Sequence, residues 1–187
     1  MTSATDMKLL KVISLLMDYP EHELFIDDNL DQCKQLVMQS RLISPEVRQD
    51  IATLIDQMAA PGAPEAPAKY ASPFERGSHL AIWSLSLWLF EHVHGESRDR
   101  GQAMVDLMAQ YDMAGFEINA KELPDYLPMY LEFLSHQATI NHDEMQIREE
   151  IANISHIVTL LAARLMDKNS HYVGLFKALL QIAGEPL

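Results

Sequence analysis

Between Leu89 and Asp106 the chain reads LFEHVHGESRDRGQAMVD, and this stretch gathers the residue types that do chemistry. Glu91, His92, His94, Glu96, Arg98, Asp99 and Arg100 crowd together, framed by Gly95 and Gly101. Glutamates beside a histidine could serve as acid and base or as metal ligands, with Glu91, His92 and Glu96 as the candidates. The spacing argues against a metal. His92 and His94 are two positions apart, about 200° of helical turn, so a continuing helix points them to nearly opposite faces. A helical metal pair needs three- or four-residue spacing. Gly95 could break the helix, which leaves a loop site geometrically open. The plain alternative is a solvated elbow between two helices, its charges satisfied by local ion pairs.

Other catalytic patterns are missing. The sequence contains no G-x-x-x-x-G-K-[ST], no G-x-G-x-x-G after a strand and no G-x-S-x-G. Cys33 is the only cysteine. It can form no disulfide within the chain and cannot by itself hold zinc or an iron–sulfur cluster. No resident cofactor and no metal are expected.

Composition sets the class. The 187 residues suit one domain with a sizeable core, and 48% hydrophobic content excludes general disorder. Only 7 glycines and widely spaced turn signals favour helices over many short strands. Net charge is −13, from 14 Lys+Arg against 27 Asp+Glu. No basic cluster tracks a phosphate backbone, so nucleic acid is not an expected partner, whereas basic peptides are attracted. Asp6, Lys8 and Lys11 interrupt the N-terminal apolar residues, so there is no signal-peptide core. Leu80–Phe90 is about half the length of a membrane span, so no direct membrane insertion is expected. These features together suggest a cytoplasmic protein.

Helical patterns position the elbow. Met7–Met17 predicts a helix buried on more than one side, stopped by Pro20. A second helix is expected over Glu21–Gln39, with Cys33 on its apolar face as a small core residue. Ser44-Pro45 predicts a capped start for a third, its stripe being Val47, Ile51, Leu54, Ile55 and Met58. The PGAPEAPAKYASP run near 60–73 reads as a flexible connection. From Leu80 to Phe90 only Ser84 and Ser86 are polar, which predicts a central helix buried on all sides. A helix from Arg98 to about Met113 follows, closed by Gly115. Pro124 and Asp125 suit the start of another, with Leu127, Tyr130, Leu131 and Leu134 inward; capping this helix is the alternative to a client-binding role for Asp125. Asn141–Asp143 is expected to open one long helix to Met166, and Tyr172–Ile182 to form the last. The expected fold is an all-α, single-domain helical bundle spanning residues 1–187 around the central helix.

The wording of the elbow adds more than its pattern. LFEHVHGESRDRGQAMVDLMAQY closely resembles the delta-subunit chaperones of respiratory nitrate reductase, the NarJ type. Glu122–Leu134, ELPDYLPMYLEFL, resembles the wider family's E-x-P-D-H signature, with Tyr126 in place of the histidine. The likeness is strongest over Phe74–Leu134. His79–Trp83 looks like extra length between the Arg76-Gly77 pair and the elbow. The family's members often carry a further polar tail, which this chain, ending at Leu187, is expected to lack.

The resemblance implies a chaperone, not an enzyme. Its client would be the apo catalytic subunit of nitrate reductase, bound through an N-terminal peptide and held ready for the molybdenum cofactor before docking to the membrane partner. One client-binding surface is further expected from two distant segments: Glu91, His92, Glu96, Arg98, Asp99 and Arg100 from the elbow, and Glu122, Pro124, Asp125, Tyr126 and Leu131 from the later helix start. Between Glu91 and Glu132 nine carboxylates face three cations, a balance that attracts a basic peptide. The rival readings are a chaperone of the same fold serving an N-oxide or sulfoxide reductase, and an all-α metal-dependent enzyme.

Overall fold

A computed structural model describes residues 4–18, 22–60, 85–118 and 122–185. The expected Pro-rich connection from Pro61 onward, and Leu80–Ser84 of the expected central helix, lie outside these residues. The described residues are mostly helical and contain no strand, as the all-α reading expects. In order, the helices are α1 (Ala4–Met17), α2 (Asn29–Gln39), α3 (Pro45–Ala59), α4 (Leu89–Val93), α5 (Asp99–Met113), α6 (Leu127–Asn141), α7 (Glu144–Asn153), α8 (Ser155–Asp167) and α9 (Val173–Ala183).

The centre of the core is α1 against α6. Both present apolar residues on several sides, Leu9, Leu10, Ile13 and Leu16 from α1 and Leu127, Leu131 and Leu134 from α6. Pro128 lies in the first turn of α6, where its missing N–H is no loss. The Ser14 hydroxyl donates to the Pro128 carbonyl (2.6 Å), so the polar atoms buried between these helices satisfy each other. On the other side α9 touches α3, α7 and α8. Ser44 starts α3 as expected, accepting from Val47 N (3.3 Å), and the expected α3 stripe is buried. Cys33 is a buried core residue, and burial pushes its thiol above the usual range.

Three helix assignments are corrected. Leu85–Trp88 is not helical; the helix begins only at Leu89. Leu85, Leu87 and Leu89 are buried while Ser86, Trp88 and Phe90 are half-buried, which is the two-residue period of an extended segment. An all-apolar run concealed that alternation. Glu21–Gln39 is not continuous either. A 3-10 turn at His22–Phe25 precedes α2, and Asp27 sits at φ 52° between them. Asp27, Asp28 and Asn29 in succession offer side-chain bonds that compete with helix.

The expected long helix from Asn141 is in fact three pieces. Asn141 closes α6, and His142 turns the chain in the left-handed region (φ 53°). Asp143 caps α7 by accepting from Gln146 N (3.0 Å). Asn153-Ile154-Ser155 then separates α7 from α8, polar residues again disfavouring helix at the break.

Gly174, in α9, lies where that helix crosses α3. A Cβ there would stand 2.9 Å from Asp50 Cβ and 3.3 Å from Ile51 Cγ1. Helix propensity alone favours Gly174→Ala by about 1 kcal/mol. Overpacking costs about 1–3 kcal/mol and should win. Urea unfolding of this variant is expected to show net destabilisation; a gain in stability would mean that the α3–α9 crossing yields easily.

Candidate functional site: a junction beneath the charged elbow

The two segments singled out by sequence meet. Leu123 and Tyr126 close a tight turn, Tyr126 N donating to Leu123 O (3.0 Å), with Pro124 at its second position where its fixed φ fits. The turn lies antiparallel against Leu87–Leu89. Leu89 N donates to Asp125 O (2.9 Å) and Leu127 N donates to Leu87 O (2.8 Å), with Trp88 opposite Tyr126. These bonds occupy the backbone groups that a helix over 85–90 would have used. That is the physical reason the central helix does not form.

Asp125 completes the junction. It is 0% exposed, and its Oδ2 accepts from Phe90 N (2.9 Å). The alternative reading of Asp125 as cap of its own helix does not hold: Asp125 caps the first turn of α4, a helix far away in sequence. Its Oδ1 is buried with no hydrogen-bond partner. Burial pushes the carboxyl above the usual carboxylate range. The Phe90 N–H and the Arg100 guanidinium pull it down, and Glu91 pushes it up. Trp88 stacks at a tilt on Tyr126 (5.5 Å between ring centres), and its Nε1 is also buried without a partner.

Tyrosine hydroxyls extend the junction in two directions. Tyr126 donates to Asp18 Oδ1 at the end of α1 (3.0 Å). Tyr111, fully buried, donates from α5 to Pro124 O (2.7 Å). Leu107 and Tyr111 are the buried residues of α5, so this bond is a principal anchor for the helix carrying the elbow's C-terminal side. Burial raises the Tyr111 phenol well above its ordinary value, so it stays a donor. The end of α5 is fixed by Gly115 (φ 67°): Gly115 N donates to Asp112 O (3.0 Å) and Phe116 N to Tyr111 O (2.9 Å), with the Phe116 and Tyr111 rings in contact.

The elbow itself is exposed. Glu91 pairs with Arg100 (3.5 Å) and is hydrogen-bonded by the Ser86 hydroxyl. His92 Nε2 donates to Ser86 O (2.9 Å), and His94 meets the Phe90 ring edge-on. Gly95 takes φ 54° and reverses the chain toward α5. Glu96, Arg98 and Asp99 are exposed, and Glu122 is half-exposed. Pro124, Asp125, Tyr126 and Leu131 are buried. Among the described residues no three of His, Cys, Asp and Glu converge as metal ligands. The sequence reading missed Asp18 and Tyr111, whose roles depend on contacts that no local pattern encodes. The alternation around Leu87 was the one signal for the extended segment at the junction.

A carboxyl whose folded value lies above its unfolded one holds its proton more tightly when folded. Asp125 therefore leaves stability intact at acid pH and lowers it as pH rises through the raised value. Asp125→Asn keeps an acceptor for Phe90 N–H and cannot ionise. Its melting temperature relative to the wild type should increase from about pH 4 upward and then level off. Asp125→Ala orphans that N–H and should cost about 1–3 kcal/mol across the range, measured by urea unfolding. A flat difference between the Asn variant and the wild type would mean that folding leaves the Asp125 carboxyl unshifted.

Known proteins share this sequence over most of its length. The profile of the nitrate reductase delta subunit family matches residues 40–178. The probable nitrate reductase molybdenum cofactor assembly chaperone NarW of Escherichia coli K12 is 42% identical over 97% of this chain and 70% of its own length. The nitrate reductase molybdenum cofactor assembly chaperone NarJ of the same strain is 37% identical over 93% of this chain and 69% of its own. The probable NarJ of Bacillus subtilis 168 is 28% identical over 90% of this chain and 84% of its own. With the family profile covering most of the chain and the junction's two segments inside it, this chain belongs to the nitrate reductase delta subunit family.

Proposed function

We propose that this protein is an assembly chaperone, not an enzyme, for the molybdenum-containing catalytic subunit of a nitrate reductase, acting before or during insertion of the cofactor. The observation that carries this reading is its 42% and 37% identity to relatives named as such chaperones, spread over nearly the whole chain. The client's N-terminal segment is the part it holds. The encounter takes place in the cytoplasm, before the subunit docks to its membrane partner. No described helix is long and apolar enough to cross a membrane.

The proposed client surface divides by exposure. Glu91, His92, Glu96, Arg98, Asp99 and Arg100, with Glu122, reach solvent and meet the client. Pro124, Asp125, Tyr126 and Leu131 are buried and set the elbow's position. Carboxylates outnumber cations here, which favours a basic segment and makes binding sensitive to salt.

Titration calorimetry with a synthetic N-terminal peptide of the nitrate reductase catalytic subunit should show saturable binding with a negative heat-capacity change. Replacing Glu96 and Asp99 by Lys should weaken it about three- to tenfold at low salt and flatten its salt dependence. The matching peptide from an N-oxide or sulfoxide reductase should bind more weakly. Absence of heat at high micromolar peptide, with no capture of the intact catalytic subunit, would overturn the reading.

A further inference from the structure

At the end of α5 far from the elbow, a pocket of about 360 Å³ lies between the close of α5, α6 and α7. Its floor is apolar: Phe133, Leu134 and Ile147 line it and belong to the core. Its lips are apolar too, and they are uncovered. Met113 is 84% exposed and Ile140 54%. Leu107 and Tyr111 are the buried residues of α5, so this helix leaves most of its surface unpacked. The volume lies at the small end of binding pockets and admits a few side chains, not a whole helix. A methionine at such a lip adapts to apolar guests of different shape.

The charge around this pocket is of one sign. Glu150 lines the wall, where the Tyr130 hydroxyl donates to its Oε2 (3.0 Å) and holds the carboxylate in place. Asp106 is exposed and shares the α5 face of Gln110 and Met113. Asp143 is exposed and shares the α7 face of Gln146 and Glu150. Among the described residues lining the pocket none is a lysine or arginine. Arg148 of α7 is turned away, donating to Glu144 Oε1 (2.8 Å) and to Ile182 O (2.7 Å). Both α5 and α6 end here, so their carbonyl ends add partial negative charge. The opposite partial charge at the start of α7 is offset by its acidic cap Asp143 and by Glu144.

We infer that this pocket is a second interaction surface, taking a protein segment with a bulky apolar anchor and Lys or Arg on both sides of it. The inference goes beyond the chaperone reading above and does not depend on it. The anchor enters between Met113 and Ile140 and packs on Phe133 and Leu134. A basic residue on one side meets Asp106, and one on the other side meets Asp143 and Glu150. Their long stems lie over the apolar lips while their charged heads reach the carboxylates. A second copy of this chain is a poor occupant: at a net charge of −13 it brings carboxylates to carboxylates. An anionic membrane surface is repelled in the same way. The pocket and the elbow stand at opposite ends of α5, about 20 Å apart by helical rise. That separation lets the elbow and the pocket be occupied at the same time.

The probe is a short synthetic peptide with a Leu-Phe anchor between pairs of lysines; its twin carries glutamates in place of the lysines. The full chain, labelled at its methionine methyl groups, is titrated with each and followed by NMR. The lysine peptide should move the Met113 signal saturably, with a Kd of roughly 10–100 μM at low salt. Binding should weaken several-fold at about 0.5 M salt. Met38 of α2 and Met166 of α8, exposed elsewhere, should keep their signals in place. By calorimetry, Met113→Ser should weaken binding about fivefold. Glu150→Gln keeps an acceptor for the Tyr130 hydroxyl, and should weaken binding about threefold with a shallower salt dependence. An unmoved Met113 signal at high micromolar peptide, equal movement of Met38 and Met166, or equal binding of the glutamate twin would overturn the inference. So would a free chain that sediments as a dimer and becomes monomeric with Met113→Ser, which gives the pocket to a second copy. The NMR mapping on the unmodified chain decides the case even if a variant fails to fold.

Discussion

A few hydrogen bonds between Leu87–Phe90 and Asp125–Leu127 hold the rest of the functional end in place. Two are backbone bonds and one runs from Phe90 N to the Asp125 carboxylate. Without them α4 has no cap at its start, since no side chain of its own segment supplies one. The same turn carries the carbonyl that receives Tyr111 from α5 and the hydroxyl that reaches Asp18 on α1. One short antiparallel contact thereby orients α1, α4, α5 and α6 together. The cost is a carboxyl in the interior with one oxygen unsatisfied, an arrangement that stability alone does not favour.

Much of this was legible in the sequence where local rules dominate. The Ser44 cap, the α3 stripe, the close of α5 at Gly115 and the burial of Cys33 follow from patterns a few residues long. The proximity of elbow and later helix start came from resemblance. The failures share a cause. Leu80–Phe90 looked like a buried helix because apolar residues fill both a helical and an extended period. Which period wins at Leu85–Phe90 is decided by partners more than thirty residues later. Asp125 looked like a cap for α6 because it precedes that helix, yet its carboxylate turns to a different one. Residues 141–166 looked continuous because the apolar stripe carries on through the breaks, while His142 and Asn153–Ser155 end the helices locally.

The bond between Ser14 and Pro128 has a consequence for how the chain comes into being. Its partners are 114 residues apart, and the α1–α6 pair at the core shares that separation. On the ribosome, α1 emerges first and has no α6 to meet. At roughly 5–20 residues per second the wait is about 6–23 s. Throughout it Leu9, Leu10, Ile13 and Leu16, buried in the finished protein, lack the cover that α6 supplies. A protein whose proposed task is to shelter an unfinished client passes through a comparable unfinished state during its own synthesis.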